Sequence, residues 1–90
     1  VSLRIVFTPH AWQEYDTWLR QDARMARRIS RLIIDVQRDP HGTGLGKPEH
    51  LKGPLTGWSS RRINDEHRLI YRVRGDSLEI AACHGHYDDK

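Results

Sequence analysis

The stretch WSSRRINDEHRLIYRVRGDSLEIAAC, residues 58–83, decides the fold. Three runs of strand-like composition, Trp58 to Ile63, Arg68 to Val73 and Leu78 to Cys83, are parted by the turn-forming groups Asn64-Asp65-Glu66 and Arg74-Gly75-Asp76. Short polar connections of this kind join consecutive strands as antiparallel hairpins. Just upstream, residues 41–57 (HGTGLGKPEHLKGPLTG) keep no period and read as a long Gly/Pro-rich loop. Loops this long in a small domain are usually functional or mobile. The GTGLGK portion has the glycines of a phosphate-binding loop, but it lacks the spacing G-x-x-x-x-G-K-[ST] and follows a helix rather than a strand.

Working toward the N-terminus, a helix is expected from about Gln21 or Asp22 to Gln37, with Met25, Ala26, Ile29, Leu32, Ile33 and Val36 as its apolar stripe. Asp39-Pro40 stops it. Its other face carries Arg24, Arg27, Arg28 and Arg31, either a solvated surface or a grip for phosphates or an acidic partner segment. Before it, Thr8 caps a helix that starts at Pro9 and runs to about Arg20, with Ala11, Trp12, Tyr15, Trp18 and Leu19 at helical spacing. Aromatics at that spacing are core residues in the first instance, not a base-stacking platform. Residues 2–7 (SLRIVF) form a strand with Leu3, Ile5 and Phe7 on one face. The order strand, helix, helix, strand, strand, strand predicts an α+β fold: a mostly antiparallel sheet with two helices packed on one face.

Ninety residues fit one domain, spanning residues 1–90, with a core that buries only roughly 60 to 65% of the unfolded surface. The net charge of +3, from fifteen Lys and Arg against twelve Asp and Glu, suits a phosphate-bearing or acidic partner. A lone cysteine forms no internal disulfide, and no signal peptide or membrane span is visible, so a cytoplasmic protein is expected. Nothing in the reading depends on the first residues of the chain, which starts at Val1.

The groups that can carry chemistry gather where the loop, the second hairpin and the tail meet: Glu49, Lys47, Lys52, Arg62, Arg68, His86 and Tyr87, with Arg61 alongside. A carboxylate and an imidazole can divide proton removal and proton donation, and arginines can offset the charge that builds on a phosphorane. RNA phosphodiester cleavage needs those three roles, since the 2′-hydroxyl is a built-in nucleophile, and no metal is then required. His84 and His86 lie at strand spacing beside Cys83, yet without a second ligand cluster a zinc site is not expected. Cys83 ends the apolar run IAAC and should pack in the core. His10, His41, His50 and His67 are read as surface or turn residues, with His67 at most steadying the strand beside Arg68.

GKPEHLKGPLTGWSSRRINDEHRLIY (46–71), AACHGHY (81–87) and the helical RRISRLI (27–33) with RDP (38–40) closely resemble the YoeB-type toxins of the RelE/ParE superfamily, over close to the whole chain. The resemblance implies a ribosome-dependent endoribonuclease that enters the vacant A site of the 70S ribosome and cuts the messenger RNA codon there. It implies Glu49 as general base on the 2′-hydroxyl and Arg68 as the phosphate clamp. His86 would be the general acid, with Tyr87 orienting the substrate. Lys47, Lys52, Arg61 and Arg62 would bind RNA or ribosome. It further implies a YefM-type antitoxin partner with an acidic, disordered C-terminal segment, contact with operator DNA only through that complex, a possible homodimer, and no cofactor.

Three positions depart from the family pattern. Asp88, Asp89 and Lys90 follow the His-Tyr pair, His84-Gly85 stands where a basic and an aromatic residue are usual, and GWSS moves the tryptophan by one place. Two other readings compete. One is a non-catalytic inhibitor that binds a protein, as the ParE branch does on DNA gyrase, against which the base and acid pair argues. The other is a basic nucleic-acid-binding module, with the arginine helix as its footprint.

Overall fold

Thr8 starts the first helix as its sequence suggests: its hydroxyl accepts from the Ala11 N–H at 3.1 Å, and Pro9 fills a position whose own N–H would be unpaired. In the computed structural model, which describes residues 2–86, this helix, α1, spans Pro9–Gln21. Asp22 both ends α1 and caps the next helix, α2 (Ala23–Arg38), accepting from the Arg24 N–H at 3.2 Å. One residue therefore turns the chain between the two helices. Strand β1 (Arg4–Phe7) precedes them, and β2 (Glu49–His50), β3 (Ser59–Arg62), β4 (Arg68–Arg74) and β5 (Ser77–Ala82) follow, with a 3-10 turn at Gly53–Leu55.

The sheet order is β1-β5-β4-β3-β2; β1 runs parallel to β5 and the other pairs are antiparallel. The α+β architecture expected from the sequence is the one observed, with a fifth strand added. That strand is Glu49-His50, inside the segment read as loop, and it pairs with Ser60 and Ser59. No helix among the described residues is long and apolar enough to cross a membrane.

The stripe of α2 is buried at Ala26, Ile29, Leu32, Ile33 and Val36, and meets Ile63, Leu69, Tyr71, Leu78 and Ile80 from one face of the sheet. On the outer side of α2, Arg24, Arg27 and Arg31 are exposed. Arg28 is half-buried and donates to the carbonyls of Ile63 and Arg62 at 3.3 and 3.4 Å. The aromatics of α1 divide. Trp18 is buried and Tyr15 half-buried, but Trp12 is 55% exposed, its ring set edge-on to Phe7 at 5.4 Å. Ile5 and Leu19, also expected inside, are exposed. For Ile5 the reason is incomplete cover: β1 is an edge strand, and an open apolar cleft of about 190 Å³ remains between Ile5, Phe7, Tyr15, Ile33 and Ile34.

The largest fully buried side chain is Arg61. Its Nε donates to the Tyr71 hydroxyl at 3.1 Å, while Nη1 pairs with Asp35 of α2 and donates to the Leu45 carbonyl at 3.2 Å. Burial pulls the guanidinium pKa down, but the bonds to Tyr71 and Asp35 outweigh it and the net shift is upward. The Arg61 bond in turn holds the Asp35 carboxyl below its ordinary value. Asp35 also accepts from the Leu45 N–H at 3.1 Å, so this pair ties the loop after α2 to the sheet. Beside it, Gly46 adopts φ +80 and its carbonyl accepts from Arg62 N at 2.6 Å. A Cβ at Gly46 would lie 2.9 Å from the Arg62 carbonyl oxygen, so glycine is required where the loop meets β3.

Arg61→Ala should lower stability by roughly 3 kcal/mol, the lower end for breaking a buried pair, because Asp35 keeps part of its side chain in water. Urea unfolding at neutral pH measures it. The pH dependence has a definite sign. With its folded-state pKa depressed, Asp35 contributes stability that is complete above the unfolded carboxylate value of about 4 and lost as pH falls through the folded value. The urea midpoint of the wild type should therefore drop more steeply below about pH 4 than that of Asp35→Asn.

Candidate active site

Strand alternation sorts the arginines of the hairpin. Arg61, Leu69 and Tyr71 are buried under the helices, so their neighbours Ser60, Arg62, Arg68 and Ile70 belong to the opposite face. Register then draws a row across that face: Glu49 opposite Ser60, Ser60 opposite Ile70, and Ile70 opposite Ala82. Arg62 pairs with Arg68, two residues further along. With strands about 4.8 Å apart, Glu49 stands roughly 10 Å from Ile70, and Arg68 about 7 Å from Ile70 along β4.

The tail reaches the same face because β5 is bulged. Tyr71 pairs with Ile80 but Ile70 pairs with Ala82, leaving Ala81 as the extra residue. The bulge resets the alternation, so Ala82 points with Ile70 and Cys83 turns into the core, where it is fully buried. Burial, and next the charge of Glu14, push the Cys83 thiol up to about 12, which keeps it protonated and makes it a packing residue. A cavity of about 270 Å³ opens beyond, lined by Leu55, Ile70, Ala82 and the His84–His86 tail.

Backbone bonds fix this tail. Glu14 and Trp18, one turn apart on α1, take both polar groups of Cys83: its N–H donates to Glu14 Oε1 at 2.7 Å, and Trp18 Nε1 donates to its carbonyl at 2.8 Å. His67 and Arg68, at the entry to β4, take both groups of Gly85. The Gly85 N–H donates to His67 Nδ1 at 2.8 Å, and Arg68 N donates to the Gly85 carbonyl at 3.0 Å.

Glu49, Lys47 and Lys52 are exposed, with Lys47 in the left-handed region at φ +51. A larger cavity, about 550 Å³, lies beside Glu49 between the loop after α2 and the β2–β3 edge. Arg62 and Arg68 are half-buried, and His86 is exposed. Arg68 Nη1 donates to the carbonyls of Asn64, Asp65 and His67 at 2.8, 3.2 and 3.2 Å, so one corner of the guanidinium is tied to the turn. Arg61 does not join this face. Expected among the RNA-binding residues, it is enclosed at 0% exposure because its strand position points under α2, toward Asp35. Tyr87 and Asp88, Asp89 and Lys90 lie outside the described residues. Trp58 packs its ring under the Arg72 guanidinium at 4.2 Å, and Arg72 pairs with Glu79 at 2.5 Å. Among the described residues, no three His, Cys, Asp or Glu side chains cluster closely enough to hold a metal ion.

Sequence reasoning missed Glu14 and Trp18 as anchors and undervalued His67, which is buried against Trp18 and His84 at ring separations of 4.8 and 4.6 Å. The only local signal was Asn64 three residues ahead, whose side chain accepts from the His67 N–H at 2.7 Å and fixes the turn.

Residues 7–87 match the family described as YoeB-like toxins of bacterial type II toxin–antitoxin systems. The chain is 49% identical over 85 residues to the toxin YoeB of Streptomyces coelicolor, covering 94% of this chain and 100% of that one. Among solved structures it is similar to the YoeB dimer from Staphylococcus aureus, with a TM-score of 0.89 at 42% identity over 97% of this chain and 100% of that one. It is also similar to the toxin in the heterotetrameric YoeB–YefM complex from the same species, with a TM-score of 0.87 at 42% identity and the same coverage. Matched over nearly its whole length by the family and by these relatives, the chain belongs to the YoeB-like toxins of type II toxin–antitoxin systems, within the RelE/ParE superfamily.

Proposed function

We propose that this toxin is a ribosome-dependent endoribonuclease that cuts messenger RNA in the A site without a metal. The observation that carries the reading is the shared face: register aligns Glu49 with Ile70, and Ile70 lines the cavity at His86, while Arg68 stands two residues away on the same strand. In the reaction, the Glu49 carboxylate takes the proton of the 2′-hydroxyl as its oxygen attacks phosphorus. Protonated His86 then gives a proton to the departing 5′-oxygen. The products are a 2′,3′-cyclic phosphate and a 5′-hydroxyl end. The Arg68 nitrogens other than Nη1 offset charge on the phosphoryl oxygens, and Tyr87 orients the substrate. Lys47, Lys52 and Arg62 hold RNA or ribosomal phosphates, and Arg61 supports the strand from inside.

The same reading gives the toxin a YefM-like antitoxin, since the S. aureus relative is seen in a YoeB–YefM complex, and contact with operator DNA only through that partner. Homodimer formation follows the S. aureus YoeB dimer. The site of action is the cytoplasm.

Primer extension on messenger RNA with purified ribosomes tests the proposal, with a cut inside the A-site codon as the expected product. Glu49→Ala and His86→Ala should each slow cleavage by about 10² to 10⁴, and Arg68→Ala by about 10² to 10³. Glu49 and His86 are exposed, so those two variants should melt like the wild type. Cleavage by the triple variant at the wild-type rate would refute the assignment.

A further inference from the structure

Beyond the Cys83 anchor, the turn that carries His86 is held at Gly85 by two adjacent residues. Gly85 sits at φ +89, and both its backbone groups are taken by adjacent residues, its N–H by His67 Nδ1 at 2.8 Å and its carbonyl by Arg68 N at 3.0 Å. The His67 ring has little freedom. It is 8% exposed, set edge-on to Trp18 at 4.8 Å and against His84 at 4.6 Å, and its main chain is fixed by bonds to Asn64 Oδ1 and from Ile63 N. A backbone N–H can only donate, so Nδ1 must accept, which fixes the ring as the neutral tautomer with its proton on Nε2. The Nε2 side looks toward Glu66, 3.8 Å away.

We propose that His67 is a positioning residue for the nuclease reaction: it acts through the Gly85 N–H to set the turn from which His86 reaches the substrate. This rests on the endoribonuclease reading above. Because Arg68 N holds the other side of the same glycine, the arrangement locks the phosphate clamp and the proton donor into one register. A plain core histidine needs only to fill volume, whereas this role needs an acceptor at the reach of Nδ1.

The experiment separates the two. In the intact, ¹⁵N-labelled protein, a scalar coupling across the N–H···N bond between the Gly85 amide and His67 Nδ1 is expected. Its absence, with both nitrogens assigned, overturns the proposal. His67→Asn and His67→Gln are then compared, since both delete the ring but only asparagine keeps an acceptor at the reach of Nδ1. In single-turnover cleavage on ribosomes, His67→Gln should lose about 10- to 100-fold in maximal rate with its half-saturating ribosome concentration unchanged, and His67→Asn should keep most of the rate. Equal rates in the two variants, fast or slow, overturn the proposal. A wild-type protein that cleaves nothing refutes the nuclease reading alone. Backbone relaxation at His86 then still decides the positioning, with order expected to fall in His67→Gln and hold in His67→Asn, and equal order in both counting against it.

Discussion

Everything proposed for the site depends on a short stretch of backbone just past the last strand. Cys83 is caught by Glu14 and Trp18, residues 69 and 65 positions away in sequence, and Gly85 is caught by His67 and Arg68, where the chain enters β4. An extended segment outside the sheet has unpaired polar groups and a large conformational entropy, so without partners it would stay solvated and loose. Here three buried or half-buried side chains and the Arg68 N–H satisfy those groups, and the Cys83 thiol packs in the core. The segment from Cys83 to Gly85 is thereby made part of the fold. Trp18 belongs both to the core and to the anchor of this segment.

The arginines illustrate how much a pleat decides. Arg61 and Arg62 are neighbours of the same chemistry, yet one is sealed beneath α2 and the other lies half-buried on the opposite face. The buried one stays charged because Tyr71 and Asp35 outweigh its desolvation, and its cost is tolerable because it fastens the loop that leads to Glu49. Arg68 has two roles, since one corner of its side chain closes the turn and its main-chain N–H holds Gly85. Lost activity after replacing Arg68 therefore has to be read beside its stability.

Much of the fold was legible. The period of α2, the cap at Thr8 and the two polar turns gave helices and hairpins close to their observed limits, and the motif residues pointed to Glu49, Arg68 and His86. What escaped was non-local. Two residues cannot display an alternating pattern, so Glu49-His50 passed for loop until β3 was there to pair with it. Ser59-Ser60-Arg61-Arg62 has no apolar face to say which arginine turns inward, and its deciding partner, Asp35, is 26 residues away. The bulge at Ala81 leaves no mark in an apolar run, yet it decides that Cys83 points in. Trp12 has helical spacing but falls beside a sheet edge too narrow to cover it.

The central claim is that the sheet face opposite the helices, between β2 and the anchored tail, is where RNA is cut. A cryo-electron microscopy structure of the toxin on a ribosome, with a messenger RNA carrying a 2′-O-methyl group in the A-site codon, tests it most directly. The account predicts the scissile phosphate against Arg68, with the blocked 2′-oxygen toward Glu49 and the 5′-oxygen toward His86. Messenger RNA lying instead along the exposed arginines of α2, with that face empty, would contradict it.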